Sequence, residues 1–392
     1  MLRVLTLATL FPDASRPNFG VFVERQTLGL AARPGVDLRV VAPIGVPPWP
    51  LARLGHHRAF AAVPEAETWR GLNVIRPRFL ALPGTGGRFF AASLARALAP
   101  RLAALRRDFP FDVIDAEFFF PDGPAAIALG RRFGVPVSIK ARGADIHHWG
   151  QGPTRAQVAG AARDADGLLA VSSALADDVA ALGVARDKVR VHYTGVDLAR
   201  FAATPRAEAK AAIGVAGPLV IALGALVPRK GHEVVIEAVA RLPGVALKIV
   251  GEGAERPRLA ALIARLGVAD RVTLTGAVPH AELGPLLAAA DVMALASASE
   301  GLANAWVEAL AAGVPVVITD VGGARELLTQ GTYGRLAARE PAAFAAAIAE
   351  LITAPPPSDA VRRGAERFTW EANAEALHAH LAGLVSGRRQ GR

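Results

Sequence analysis

Short apolar runs recur along this chain, each followed by a stretch with helical spacing, and that alternation leaves few folds open to it. Runs this short, rich in Val, Ile and Leu and bounded by Gly and Pro, suit strands buried on both faces, while the stretches between them suit covering helices. The pattern predicts an α/β chain built on parallel sheets. In the first half, strands are expected at Arg3 to Ala8, Asp37 to Ala42, Val113 to Ala116, Val135 to Lys140, Gly167 to Val171 and Val189 to Tyr193. Helices are expected at Val21 to Ala32, Arg88 to Arg107 and Pro124 to Phe133. A second series follows Gly195-Val196-Asp197, with strands at Leu219 to Leu223, Ala246 to Val250, Val272 to Thr275, Val292 to Ala296, Val316 to Thr319 and near Tyr333 to Leu336. Two doubly wound units in tandem account for both series, with a boundary near Asp197 to Pro205. Ligands of open parallel sheets bind beyond the carboxyl ends of the strands, so two such units facing one another would make a cleft.

A length of 392 residues, with 52% apolar and 20% charged residues, provides for two cores and argues against wholesale disorder. Cys is absent, which excludes disulfides, thiolate metal sites and cysteine nucleophiles and suits a cytoplasmic setting. The apolar start ends at Phe11-Pro12-Asp13, too early for a signal peptide. The longest uncharged run, between Lys210 and Arg229, is broken by Gly214, Gly217, Pro218 and Gly224, so no transmembrane helix is expected. No internal repeat stands out.

Net charge is +9, and residues 1 to 200 hold most of it, with 25 Lys and Arg against 17 Asp and Glu. Between Pro48 and Pro110 stand ten arginines, with Trp49, Phe60, Trp69, Phe79, Phe89 and Phe90 among them. That stretch suits an anionic membrane surface or phosphate groups; a solvated helix face is the plainer alternative. Nucleic acid is not an expected partner.

The most informative segment runs from Ser297 to Thr319. A strand ends near Ala296, a loop carries Glu300 and Gly301, a helix is expected from about Leu302 to Ala311, and Gly313-Val314-Pro315 stops it before the next strand. Free N–H groups at Leu302, Ala303 and Asn304 would suit a diphosphate. Glu308, six residues on or roughly 9 Å along the axis, is placed to accept ribose hydroxyls. Glu300, across the phosphate site, could accept hydroxyls of a sugar. Taken alone, the two acids also fit a dipole-complementing helix start and a solvated helix position.

Other strand ends add to this. Arg229 and Lys230 follow the strand Leu219 to Leu223 and suit a departing diphosphate, although adjacent cations are also common on surfaces. Gly251-Glu252-Gly253 follows the next strand, with glycines that would admit a ligand close to the backbone. Gly276-Ala277-Val278-Pro279 offers main chain for a nucleobase. Asp164 and Asp166 precede a strand and so point away from such a site, and His56-His57, His147-His148 and His378 with His380 lack a third ligand at useful spacing; no metal site is expected.

Glu300-Gly301-x-x-Asn304-x-x-x-Glu308, continued by Gly313-x-Pro315-Val316-Val317 and preceded by Arg229-Lys230-Gly231 and Gly251-Glu252-Gly253, resembles the retaining family 4 glycosyltransferases of the GT-B fold. The resemblance implies two Rossmann-like domains facing a cleft: an acceptor-side domain at 1–197, with a C-terminal helix at 375–392 packing back on it, and a donor domain at 198–374. It implies transfer of a sugar from a nucleoside-diphosphate sugar, UDP or GDP foremost, with retention and with no cofactor or catalytic metal. Arg229, Lys230 and Glu300 would be catalytic. Gly20, Gly251, Val278, Gly301, Leu302, Ala303, Asn304 and Glu308 would bind the donor.

In the first half, Phe19-Gly20-Val21-Phe22-Val23-Glu24-Arg25-Gln26 resembles the family's loop after the first strand. Phe120-Pro121-Asp122-Gly123 and Lys140-Ala141-Arg142-Gly143-Ala144-Asp145 resemble a subset that builds exopolysaccharides and other surface polymers. Asp122, Arg142 and Asp145 would lie on the acceptor side. Arg142 stands where many relatives carry His, and because Arg does not titrate near neutrality an electrostatic role is implied there instead of a proton shuttle. Thr194-Gly195-Val196-Asp197 departs mildly from the usual Asn-Gly-Val-Asp. A lipid-linked acceptor at the inner membrane face is implied as a partner, alongside a soluble alternative. A nucleotide-sugar epimerase, a phosphorylase, or an inactive nucleotide-binding protein on the same scaffold are the rival readings.

Overall fold

The computed structural model describes residues 1–53, 59–60, 62–201 and 204–390. His56, His57 and Arg58 lie outside the described residues, as does the end of the C-terminal helix expected to reach 392. Two compact units emerge, one formed by residues 1–195 with the segment from Trp370 onward, the other by Val196–Thr369.

Among the described residues, ten strands belong to the first unit: β1 (Leu2–Leu7), β2 (Val36–Val41), β3 (Ile44–Val46), β4 (Ala66–Trp69), β5 (Leu72–Ile75), β6 (Arg78–Leu80), β7 (Val113–Ala116), β8 (Val137–Ala141), β9 (Gly167–Ala170) and β10 (Val189–Val191). Eight make one sheet in the order β10-β9-β8-β7-β1-β2-β5-β4, parallel except for β4, which pairs antiparallel with β5. β3 and β6 form a separate parallel pair. β7, β8 and β9 are buried along their whole length; β9 is apolar throughout, whereas β7 takes Asp115 and β8 takes Ser138 and Lys140 into the interior. β4 to β6 lack such runs and alternate with exposed positions, so the basic stretch Pro48 to Pro110, in which only the helix Arg88 to Arg107 is expected, holds three strands as well.

Among the described residues, the second unit has six strands, β11 (Leu219–Leu223), β12 (Ala246–Val250), β13 (Val272–Gly276), β14 (Val292–Leu295), β15 (Val316–Ile318) and β16 (Gly334–Leu336), all parallel in the order β13-β12-β11-β14-β15-β16. Residues of β11 to β15 pack with the helices His232–Ala240 and Pro341–Thr353 into one core. The order reverses direction between β11 and β12 on one side and β14 on the other, the switch point at which open α/β sheets bind ligands.

The C-terminal helix starts at Trp370, five residues before the expected 375. Ala374, Leu377, Leu381 and Val385 recur at helical spacing and are buried, and the last three share a core with Val23, Leu30 and β1. Its start is fixed by chemistry as well as packing: the Asn373 carbonyl meets His192 Nε2 at 2.9 Å, and the Asn373 side chain donates to the Tyr193 carbonyl at 2.6 Å. Among the described residues no helix is long and apolar enough to cross a membrane.

Candidate active site

The loops at the carboxyl ends of β11, β13 and β14, with the helix that follows β14, carry the expected donor-site groups of the second unit. After β11 the chain makes a single tight turn, Pro228–Lys230, closed by Gly231 at φ 65°. The Arg229 carbonyl accepts the Ala298 N–H at 2.8 Å, so this turn is docked on the loop that follows β14. A Cβ at Gly231 would stand 2.0 Å from the Ala296 carbonyl oxygen, which is why only glycine fits there. Gly231→Ala is expected to destabilise the unit by about 1–3 kcal/mol and to lower activity by shifting both cations, measured by denaturant melting beside a turnover assay.

The docking brings Arg229, Lys230 and Glu300 together. Lys230 Nζ donates to Glu300 Oε1 at 2.5 Å, and Ser297 donates to the same oxygen at 2.7 Å. Arg229 Nη1 reaches Glu300 Oε2 at 3.3 Å and the Ser299 carbonyl at 2.6 Å. Both carboxylate oxygens are therefore engaged, and the carboxylate balances one of two adjacent cations. Lys230 and Glu300 are nearly buried and Arg229 is half exposed, so the pair offers one fixed and one movable positive group.

The following helix begins later than expected, at Asn304, and runs to Ala311. Ala303 is its N-cap, in extended conformation, and its carbonyl accepts the Trp306 N–H. Leu302 and Ala303 thus form a lead-in outside the helix. The N–H groups without an intrahelical acceptor at this start are those of Ala303, Asn304 and Ala305, one residue further on than the expected Leu302, Ala303 and Asn304. Gly301 fixes the lead-in, since its carbonyl accepts the Gly323 N–H at 2.7 Å. Glu308 is then four residues from the helix start, roughly 6 Å along the axis instead of 9 Å.

Glu308 is buried, and its Oε1 accepts a hydrogen bond from His280 Nε2 at 2.5 Å. His280 follows Val278 and Pro279 in the loop after β13, and the partly exposed Val278 stands two residues before it. Neither His280 nor Ser297 emerges from the sequence reading, although His280 does close the Gly276 to Pro279 run singled out there.

Gly251 differs from its expected use. At φ 153° its Cβ would come within 1.9 Å of the Gly224 carbonyl oxygen, and at Gly253 within 2.3 Å of the Leu226 oxygen. These glycines let two strand-end loops touch each other, so the backbone contact by itself requires glycine at both positions.

In the first unit, Gly20 caps the helix Val21–Ala31. The three expected acceptor-side groups are largely engaged with the protein itself. Asp145, fully buried, accepts the N–H groups of Phe119 and Gly143 at 2.9 and 2.8 Å and that of Arg142 at 2.9 Å. Asp122 accepts the Thr9 N–H at 2.9 Å, and burial pushes its carboxyl up to about 7. Arg142 donates through Nε to the Glu117 carbonyl at 2.8 Å and through Nη2 to the Glu117 carboxylate. Burial alone would raise the Glu117 carboxyl, but Arg142 and Lys140 outweigh it and hold it below its ordinary value. Lys140 donates to Gln26 Oε1 at 2.5 Å and touches His192 Nδ1 at 2.7 Å, and burial followed by the charge of Arg142 brings its ammonium down to about 7. An arginine suits this place because Glu117 needs a permanent cation with several donors.

The discounted groups have ordinary partners. Asp164 pairs with Arg131 at 2.9 Å, Asp166 accepts the Val137 N–H, His147 meets Asp178, and His380 meets Ser138.

Residues 20–200 match the family model described as Glycosyltransferase Family 4, and residues 204–368 the model described as Glycosyl transferases group 1. The Bacillus subtilis (strain 168) protein TuaC, which carries the name of a teichuronic acid biosynthesis glycosyltransferase, is 29% identical over 392 residues, covering 96% of this chain and 97% of its own. The sucrose-phosphate synthase of Thermosynechococcus elongatus superposes with a TM-score of 0.80 at 20% identity, covering 99% of this chain and 100% of its own. Anabaena HepE in complex with UDP does so at 0.75 and 20%, covering 98% and 100%. At such identities the structural likeness speaks for the fold alone. Together with the family matches and the two doubly wound sheets, it defines a glycosyltransferase of the GT-B fold. Within that class the chain is of the family 4 type.

Proposed function

We propose that this glycosyltransferase takes its sugar from a nucleoside-diphosphate sugar bound to the second unit and passes it, with retention of anomeric configuration, to a hydroxyl of an acceptor held by the first. The observation that carries this reading is the meeting of Arg229 and Lys230 at Glu300, beside the start of the helix that bears Glu308. Arg229, Lys230 and the N–H groups of Asn304 and Ala305 take the diphosphate, Glu308 takes the ribose, and Glu300 turns to the hydroxyls of the transferred sugar. In the reaction the bond from the anomeric carbon to phosphate oxygen breaks as the bond to the acceptor oxygen forms on the same face. The acceptor proton passes to the departing phosphate. The catalytic contribution is electrostatic, because preorganised cations and N–H groups meet negative charge as it develops on the leaving group. Glu300, with both oxygens held by donors, is a poor nucleophile, which favours direct displacement over a covalent sugar intermediate.

The test is to incubate the chain with UDP- and GDP-sugars and candidate acceptors, follow nucleoside diphosphate release, and read the anomeric configuration of the product by NMR. Release without a glycoside product, or a product of inverted configuration, overturns the reading. Glu308→Gln is expected to weaken binding of the released nucleotide roughly tenfold to a hundredfold, since hydrogen bonds to a charged carboxylate are lost. Unchanged affinity in calorimetry would remove Glu308 from the ribose site.

The acceptor is proposed to be a surface polysaccharide or glycolipid intermediate at a membrane face, in keeping with the name of TuaC. Trp49, Leu51, Leu80 and Phe89 are exposed apolar side chains of β3 to β6 and their flanks, and Arg53, Arg88, Arg96, Arg101 and Arg107 are exposed nearby in sequence. Other arginines of the stretch serve the interior: Arg76 is buried on Glu67 and the Pro12 carbonyl, and Arg78 and Arg106 donate to backbone carbonyls. The membrane reading therefore rests on about half of the basic residues first counted. Trp49→Ala with Phe89→Ala is expected to reduce co-sedimentation with vesicles containing phosphatidylglycerol; equal sedimentation of parent and variant would remove the membrane from the proposal.

A further inference from the structure

Glu308 does not stand alone at the end of its helix turn. His280 Nε2 lies 2.5 Å from its Oε1, and on the other side of the same imidazole Arg200 Nη1 lies 2.8 Å from Nδ1. A guanidinium has donors only, so His280 Nδ1 must accept, and the ring proton must sit on Nε2, facing the carboxylate. A second guanidinium nitrogen, Nη2, donates to the His280 carbonyl, so Arg200 grips the ring and the backbone of one residue at once. Arg200 is fixed in turn: its N–H donates to Asp197 Oδ1 at 3.1 Å, and Arg362 donates to the carbonyls of Leu198 and Phe201 on either side. The result is a directed chain of donors from the segment where the second unit begins, through Arg200 and His280, to one oxygen of Glu308. Among the described residues no other side chain hydrogen-bonds that carboxylate, which leaves Oε2 for a ligand.

We infer that Arg200 and His280 are positioning residues for the pentose of the donor: Arg200 sets the tautomer of His280, and His280 holds Glu308 by one oxygen so that the other is aimed at the ribose hydroxyls. A carboxylate without this partner would rotate about its side-chain bonds, and ordering it again on binding would weaken the nucleotide. The inference rests on the reading of Glu308 as the ribose acceptor given above.

The test is calorimetric titration of the full chain and its variants with UDP, with GDP, and with the 2′,3′-dideoxy form of whichever binds. His280→Ala and Arg200→Ala are each expected to weaken the ribonucleotide about tenfold, a loss equivalent to 1.4 kcal/mol, and to change the dideoxy analogue less than about twofold. His280→Gln, which keeps an N–H donor, is expected to recover most of the loss, and it serves as the informative variant where the alanine form does not fold. His280→Ala added to Glu308→Gln is expected to cost nothing further. In turnover, Arg200→Ala is expected to raise the donor KM with little change in kcat.

The outcomes separate the two claims. If Glu308→Gln weakens the ribonucleotide but His280→Ala and Arg200→Ala do not, the positioning role is wrong and the ribose site stands. Equal weakening of ribonucleotide and dideoxy analogue by His280→Ala would show a merely structural residue and also overturn it. If Glu308→Gln binds as the parent does, or the parent binds neither nucleotide, the reading beneath the inference falls and takes it along.

Discussion

Lys230→Ala is expected to lower turnover by about 10²- to 10³-fold, the usual effect of removing one preorganised donor from developing transition-state charge. Its ammonium is nearly buried and fixed at 2.5 Å from Glu300, so little reorganisation stands between the resting state and a phosphate oxygen arriving there. Arg229, more exposed and bonded to a backbone carbonyl, is expected to matter less, on the order of tenfold, because water competes for its charge. The loss should fall mainly on kcat when initial rates of nucleoside diphosphate release are measured against donor concentration. A Lys230→Ala chain with kcat within twofold of the parent would place the leaving group elsewhere.

Arg142→Ala is expected to act on folding before it acts on sugar transfer. Glu117 is fully buried and held ionised chiefly by Arg142, so removal of the guanidinium strands a carboxylate in the interior, at a cost of about 3–5 kcal/mol. Lys140 offers partial relief, since without the neighbouring charge its ammonium holds its proton more firmly. Replacing both partners, Arg142→Met with Glu117→Leu, should cost less than the single change, because no unpaired charge remains. Urea melts of the three chains provide the measurement. A single variant that melts with the parent but transfers sugar poorly would return Arg142 to the acceptor side in the direct sense first expected.

The parts of the fold that are buried on both faces are the parts the sequence makes legible. Val113 to Ala116, Leu219 to Leu223 and Ala246 to Val250 coincide with β7, β11 and β12, since a strand between two helical layers is apolar at nearly every position; Asp115 and Lys248 are the exceptions. The stretch Ile44 to Leu80 escaped because its strands are short, partly exposed and interrupted by turns, so that neither period stands out.

The site divides in the same way. Arg229, Lys230 and Glu300 could be named from their places at strand ends, because topology alone brings the ends of β11 and β14 side by side. Their docking could not be named, as it depends on the Arg229 carbonyl and on Gly231, and neither advertises a partner 65 or more residues away. The helix starts two residues later than the spacing predicts, because no Ser, Thr or Asp marks the cap, which falls on Ala303. A signal for the interior network is present: Asp115 on one strand with Glu117 just past its end, and Lys140 on another with Arg142 just past its end, each pair two residues apart and of opposite sign to the other. Alternation puts such pairs on one face, and buried charges must find each other there.

The diphosphate site is tested most directly by a crystal structure of the chain soaked with the nucleoside-diphosphate sugar it hydrolyses or transfers. The expected density places the diphosphate within hydrogen-bond reach of Lys230, Arg229 and the N–H groups of Asn304 and Ala305, with the ribose on Glu308. A well-ordered nucleotide bound away from these groups would contradict it.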